Sequence, residues 1–139
     1  MSAIYTAEVQ SSGDGRNGTV RSTDGLIDFP VATPKELGGA GGATNPEQLF
    51  AAGFAACFHS ALRLIARQRK LDLGASTVTA KVGLGRVEGT PALGLSVILE
   101  VALPNADADG AKALTDAAEQ VCPYSNATRG NIDVTVVHV

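Results

Sequence analysis

Two cysteines, Cys57 and Cys122, are the side chains of this sequence best suited to covalent chemistry. The thiolate is the reactive form, and a free thiol titrates near about 8.5, so a working cysteine needs a neighbour that favours its anion. Few other groups compete. His59 and His138 are the only histidines, Arg16 lies in a glycine-rich run, and Glu47 opens a long apolar segment. Besides the cysteines, the two histidines are too few for a structural zinc site, and no metal is expected. His59 follows Cys57 by two residues, and i+2 on a helix points away. Neither histidine is placed as the base of a cysteine hydrolase. By residue type alone, plain packing remains the stronger reading. Free cysteine is among the most buried residues, and a cysteine before proline at a helix end is commonly core. Phe50, Phe54 and Phe58 at i, i+4 and i+8 read as a core face, Arg16 as a solvated charge and Glu47 as a capping residue.

Composition narrows the setting. The 139 residues are 45% hydrophobic and 18% charged, which fits a single folded domain spanning 1–139. A formal charge of −3 argues against a nucleic-acid partner, because phosphate binding needs a basic face. No run reaches the ~18 apolar residues of a membrane span, so no membrane partner is expected. Met1–Glu8 lacks the basic start and apolar stretch of a secretory signal. A cytoplasmic protein is expected, where cysteines are redox-active or inert rather than permanent staples.

The elements that must carry these residues follow from pattern. Ile4–Val9 alternates and predicts a strand, and Ser11–Gly18 is turn-rich, which puts Arg16 in or beside a loop. Residues 19–23 and 26–31 flank Asp24-Gly25, a hairpin signal. Pro34–Ala43 is a glycine-rich loop without the Gly-Lys-Ser/Thr of a phosphate loop. Thr44-Asn45-Pro46-Glu47 carries a Thr-x-x-Glu capping box and a proline after an Asn cap, which starts a helix running to about Lys70. Its first half, Leu49–Phe58, is apolar on nearly every face and predicts a helix buried all round, more than so short a chain can cover alone; a homodimer is implied. Ser76–Glu88 and Leu93–Leu103 predict strands, with a bend or bulge at Gly83 and Gly85. Asp107–Val121 predicts a second helix closed by Pro123, and Ile132–Val139 a last strand. Without βαβ alternation the class is α+β, with antiparallel sheets around a long buried central helix. Cys57 lies mid-helix, beyond the reach of its own helix dipole, and burial raises a thiol's pKa; a reactive Cys57 therefore needs a cation from elsewhere in the fold.

Three stretches shift this balance: Gly-Asp-Gly-Arg-Asn-Gly at 13–18, the run at 36–58 ending Ala-Gly-Phe-Ala-Ala-Cys-Phe, and Val-Cys-Pro-Tyr-Ser-Asn-Ala-Thr-Arg-Gly-Asn-Ile-Asp-Val at 121–134. Together they resemble the organic hydroperoxide resistance (Ohr) proteins of the OsmC-like superfamily, in order and over essentially the whole chain. The resemblance implies an intertwined homodimer of OsmC-like fold with active sites at the subunit interface. It implies a peroxidase that reduces organic hydroperoxides and needs no bound cofactor, and dihydrolipoamide or another dithiol, carried by a lipoylated protein, as external reductant. It matches Cys57 to the peroxidatic cysteine, Cys122 to the resolving cysteine, Arg16 to the arginine that stabilises the thiolate, and Glu47 to the glutamate that orients that arginine.

Chemistry and resemblance then agree. A guanidinium cannot deprotonate, and its fork can hold both a carboxylate and a thiolate or peroxide oxygen. Glu47 and Cys57 are ten residues apart on one helix, about 15 Å along its axis and on different faces. Arg16 and Glu47 of one subunit are therefore expected to complete the site around Cys57 of the other. Cys122, at the negative end of its helix, is expected to stay protonated. An intramolecular Cys57–Cys122 disulfide requires Cα atoms within about 7 Å, so the second helix must end against the middle of the first. Phe50 and Phe54 lie on or near the Cys57 face and are candidates to line an apolar pocket for alkyl and fatty-acid hydroperoxides. The rival readings are an OsmC-type peroxidase of other preference and a non-enzymatic thiol redox sensor or oxidised-lipid carrier. A sensor would normally carry an output element, and no basic helix–turn–helix is present.

Overall fold

Positive φ angles of 78°, 56° and 75° at Gly13, Gly15 and Gly25 turn the chain at both ends of its second strand. The computed structural model describes all of Met1–Val139, and the chain divides into two compact units, Met1–Leu49 and Phe50–Val139. The division falls inside a helix rather than in a linker.

In the first unit β1 (Val9–Ser12), β2 (Thr19–Ser22) and β3 (Asp28–Pro30) form an antiparallel sheet in that order. The expected hairpin is present. Asp24 accepts from the Ser22 hydroxyl at 2.6 Å and the Leu26 N–H at 3.0 Å, and Arg21 faces Asp28 in register. The first strand starts at Val9 rather than Ile4. Val9 already faces Ser22, the last residue of β2, so Ile4–Glu8 has no strand to pair with. Pro34–Ala43 is loop apart from one 3-10 turn, Lys35–Leu37. Only Val31 and Asn45 of this unit are buried.

The long helix, α1, runs Pro46–Gln68. Asn45 caps it, accepting the Gln48 N–H at 2.9 Å, and Pro46 occupies the first turn, where its missing N–H costs nothing. The capping box expected of Thr44 and Glu47 does not form. With Asn45 as cap, the third helical position is Gln48, whose side chain takes the Thr44 hydroxyl at 2.8 Å. Glu47 is thereby left free for another partner.

In the second unit β4 (Thr77–Arg86) and β5 (Leu93–Ala102) pair antiparallel without interruption from Thr77↔Ala102 to Arg86↔Leu93. No bulge occurs at Gly83 or Gly85. Gly83 instead makes room across the ladder, since a Cβ there would come within 2.8 Å of Ser96 Oγ. The chain then crosses over through α2 (Ala108–Val121) and α3 (Pro123–Thr128), so β6 (Val134–His138) returns parallel to β5 and the sheet is mixed, not purely antiparallel. Asp107 caps α2, accepting the Gly110 N–H at 2.7 Å.

One core closes this unit. Phe54, Phe58, Leu62 and Ile65 of α1 pack with Val97, Leu99 and Val101, the inward alternate residues of β5, and with Leu114 and Ala118 of α2. The helix is therefore buried on one face rather than all round: Ala52, Ala56 and Leu64 remain exposed in the single chain. By length and composition α1 also meets the criterion of a membrane-crossing helix, contrary to the expectation from counting apolar runs. Its large side chains fill the core of its own unit, which identifies it as a core helix. The class is α+β, as expected.

Candidate active site

The second unit brings the two cysteines together. Cys57 is half-buried and Cys122 fully buried, both are free, and their sulfurs lie 3.6 Å apart with the Cys122 thiol donating to Cys57. The end of α2 does meet the middle of α1. Cys122 is nonetheless not simply the end of a helix. It is the C-cap of α2 and the N-cap of α3, with Pro123 as the first residue of α3. The negative end of one dipole and the positive end of another therefore meet at Cys122, and the expectation of a purely negative environment is corrected.

The third helix was missed from sequence because Pro123 reads equally as the stop of one helix and the start of the next. It has a direct consequence at Cys57. Burial pushes the Cys57 thiol up, the Tyr124 backbone N–H hydrogen bond works against this, and the neighbouring Cys122 adds to the rise.

Tyr124 also completes an aromatic cluster. Its ring centroid is 6.1 Å from Phe50 and 5.7 Å from Phe54, and Phe50 and Phe54 meet edge-to-face at 6.0 Å. Gly53 makes this possible, since a Cβ there would come within 2.8 Å of the Tyr124 hydroxyl. Phe54 is wholly buried in the core, whereas Phe50 is half-buried at its edge. His59 is engaged elsewhere, its Nε2 2.9 Å from Ser76 Oγ.

The first unit brings the two charged candidates together. A 3-10 turn, Gly15–Asn17, presents Arg16 between β1 and β2, and Asn17 braces it by accepting the Thr33 N–H at 3.0 Å. Gly18 closes the turn at a point where any Cβ would strike the Ser12 carbonyl, at 2.1 Å. Both ends of the Arg16 fork reach Glu47, Nη1 to Oε2 at 2.9 Å and Nη2 to Oε1 at 2.8 Å. Such a two-pronged pair fixes the plane of the guanidinium. The Glu47 side chain is 15% exposed and that of Arg16 42%, so the carboxylate is sheltered while the cation keeps an open side. The Arg16 hydrogen bond holds the Glu47 carboxyl below its ordinary value, against the effect of burial.

That shift has a sign that can be tested. A carboxyl whose folded pKa is lowered stabilises the fold above its unfolded value and loses that stabilisation as the pH falls through the folded one. The difference in thermal midpoint between the wild type and Glu47→Gln is expected to be largest near neutrality and to shrink in acid. A difference that grows below pH 4 overturns this.

The profile of OsmC-like proteins matches residues 39–137. The chain is 51% identical over 135 residues to an organic hydroperoxide resistance protein of Xanthomonas axonopodis pv. citri, covering 96% of this chain and 93% of the relative. The crystal structure of the organic hydroperoxide resistance protein OhrB of Bacillus subtilis superimposes with a TM-score of 0.89 at 40% identity, covering 99% of this chain and all of that one. That of an organic hydroperoxide resistance protein from Legionella pneumophila superimposes at 0.92 with 47% identity, covering 99% and 98%. With fold and sequence matched over nearly its full length, this chain belongs to the OsmC-like family, among its organic hydroperoxide resistance proteins.

Proposed function

We propose that the chain is a cysteine peroxidase that reduces organic hydroperoxides to alcohols. The observation that carries this reading is the pair of free cysteines with sulfurs 3.6 Å apart, one half-open and one buried. The Cys57 thiolate attacks the distal peroxide oxygen; an S–O bond forms, the O–O bond breaks, and the alkoxide leaves as alcohol on taking a proton. The Cys122 thiol then attacks the sulfur of the Cys57 sulfenic acid. An S–S bond forms and the oxygen departs as water. An external dithiol, dihydrolipoamide on a lipoylated protein, reduces the disulfide by two thiol exchanges and becomes a cyclic disulfide itself.

Burial, with the neighbouring Cys122 adding to it, holds the Cys57 thiol high, so a cation is required. Arg16 supplies it in this reading, with Glu47 holding the fork. The pair comes from the partner subunit of a homodimer, which also covers the apolar face of α1 left open in one chain. The half-buried Phe50 lines the substrate side, with Phe54 packed behind it. This favours alkyl and fatty-acid hydroperoxides, met in the cytoplasm.

The test is turnover. With dihydrolipoamide as reductant, the protein is expected to consume cumene hydroperoxide at least about tenfold faster than hydrogen peroxide, the discrimination that a few buried apolar groups provide. Equal rates point instead to an OsmC-type peroxidase of other preference. No turnover with both thiols titratable points to a sensor or lipid carrier.

A further inference from the structure

The last turn of α2 contains no basic residue, although cations near a helix C-terminus satisfy its unpaired carbonyls. The cation comes from ten residues further on. Arg129 Nη2 donates to the Glu119 carbonyl at 2.6 Å, and its Nη1 lies 3.4 Å from Asn126 Oδ1. Arg129 is itself the C-cap of α3, its own N–H bound to the Ser125 carbonyl. The far end of α3 is thus tied back to the end of α2, and the segment between the two anchor points contains Cys122 and Tyr124.

We propose that Arg129 is a positioning residue for the cysteine pair. Resting on the peroxidase reading, this role is to hold the Cys122 thiol against Cys57 for disulfide formation. Cys122 sits on a joint, the Cys122–Pro123 step between two helices. Backbone pairing across that joint is thin, since Cys122 N–H bonds to Ala118 on one side and Asn126 N–H to the Cys122 carbonyl on the other. Beside it lies a cavity of about 190 Å³, lined by Ser125, Thr128, Arg129 and Val134 among others. Ser125 Oγ lines this cavity, buried and without a partner. The Arg129 tie therefore borders a cavity on this side of α3.

The experiment separates this role from the peroxidase activity itself. Diamide oxidises two thiols to a disulfide, accepting two electrons and two protons, and needs no peroxidase chemistry. With diamide, Arg129→Gln is expected to form the Cys57–Cys122 disulfide roughly tenfold more slowly than wild type, the effect of losing one charge-assisted hydrogen bond. Arg129→Lys, which keeps one donor, is expected to restore part of the rate. Circular dichroism and thermal midpoint identify a variant that has not folded, and Arg129→Lys then carries the test. Unchanged diamide rates in folded Arg129→Gln overturn the proposal. Loss of hydroperoxide turnover in the wild type, with the diamide difference intact, overturns the peroxidase reading and leaves the positioning role standing.

Discussion

Cys57→Ser is expected to abolish hydroperoxide turnover, by about 10⁴-fold or more, because removing a nucleophile removes the whole covalent route. Cys122→Ser is expected to fail differently. One equivalent of hydroperoxide is still consumed, since the attack needs only Cys57, but the sulfenic acid then has no neighbour to condense with. Excess hydroperoxide carries Cys57 on to the sulfinic acid, visible by mass spectrometry as two added oxygens. In the wild type the expected product is a disulfide within one chain, because the sulfurs already lie 3.6 Å apart in a single chain. On a non-reducing gel the oxidised protein therefore runs as one chain. A covalent dimer that disappears in Cys122→Ser contradicts this assignment, and a Cys57→Ser protein retaining turnover contradicts the peroxidase reading altogether.

What could be read from sequence divides along physical lines. Turn and cap signals are local, and they located the Asp24-Gly25 hairpin and the Asn45-Pro46 helix start. Signals that depend on a choice between partners were less reliable. Thr44 and Glu47 matched a capping box, yet Asn45 took the cap and Glu47 turned to Arg16. The bend or bulge expected at Gly83 and Gly85 rested on the absence of side chains, but the ladder runs through both without a bulge, and Gly83 makes room for Ser96 of the facing strand. Pro123 hid a whole helix, and with it the Tyr124 N–H at Cys57. The approach of Cys57 to Cys122 is a contact across 65 residues that no periodicity encodes. Only the Ohr-like context of both cysteines singled them out.

Arg16→Ala is expected to lower the rate of reaction with hydroperoxide by about 10–100-fold and to raise the pH at which Cys57 becomes reactive, as loss of a charge-assisted bond to a thiolate requires. Glu47→Gln is expected to act in the same direction but less, since it loosens the fork without removing the cation. Which subunit supplies Arg16 is decided by mixing the slowed Arg16→Ala protein with the inactive Cys57→Ser protein. The ten residues between Glu47 and Cys57 in the sequence are why the partner is expected to supply it. If Arg16 and Glu47 serve the partner's Cys57, an Arg16→Ala chain paired with a Cys57→Ser chain contains one complete site. The Arg16→Ala chain supplies the thiol and the Cys57→Ser chain supplies the cation. After unfolding and refolding together in equal amounts, half the dimers are mixed and each has one working site, so about a quarter of wild-type activity returns. If each chain completes its own site, every site in the mixture lacks either thiol or cation, and activity stays at about half that of the same amount of Arg16→Ala alone.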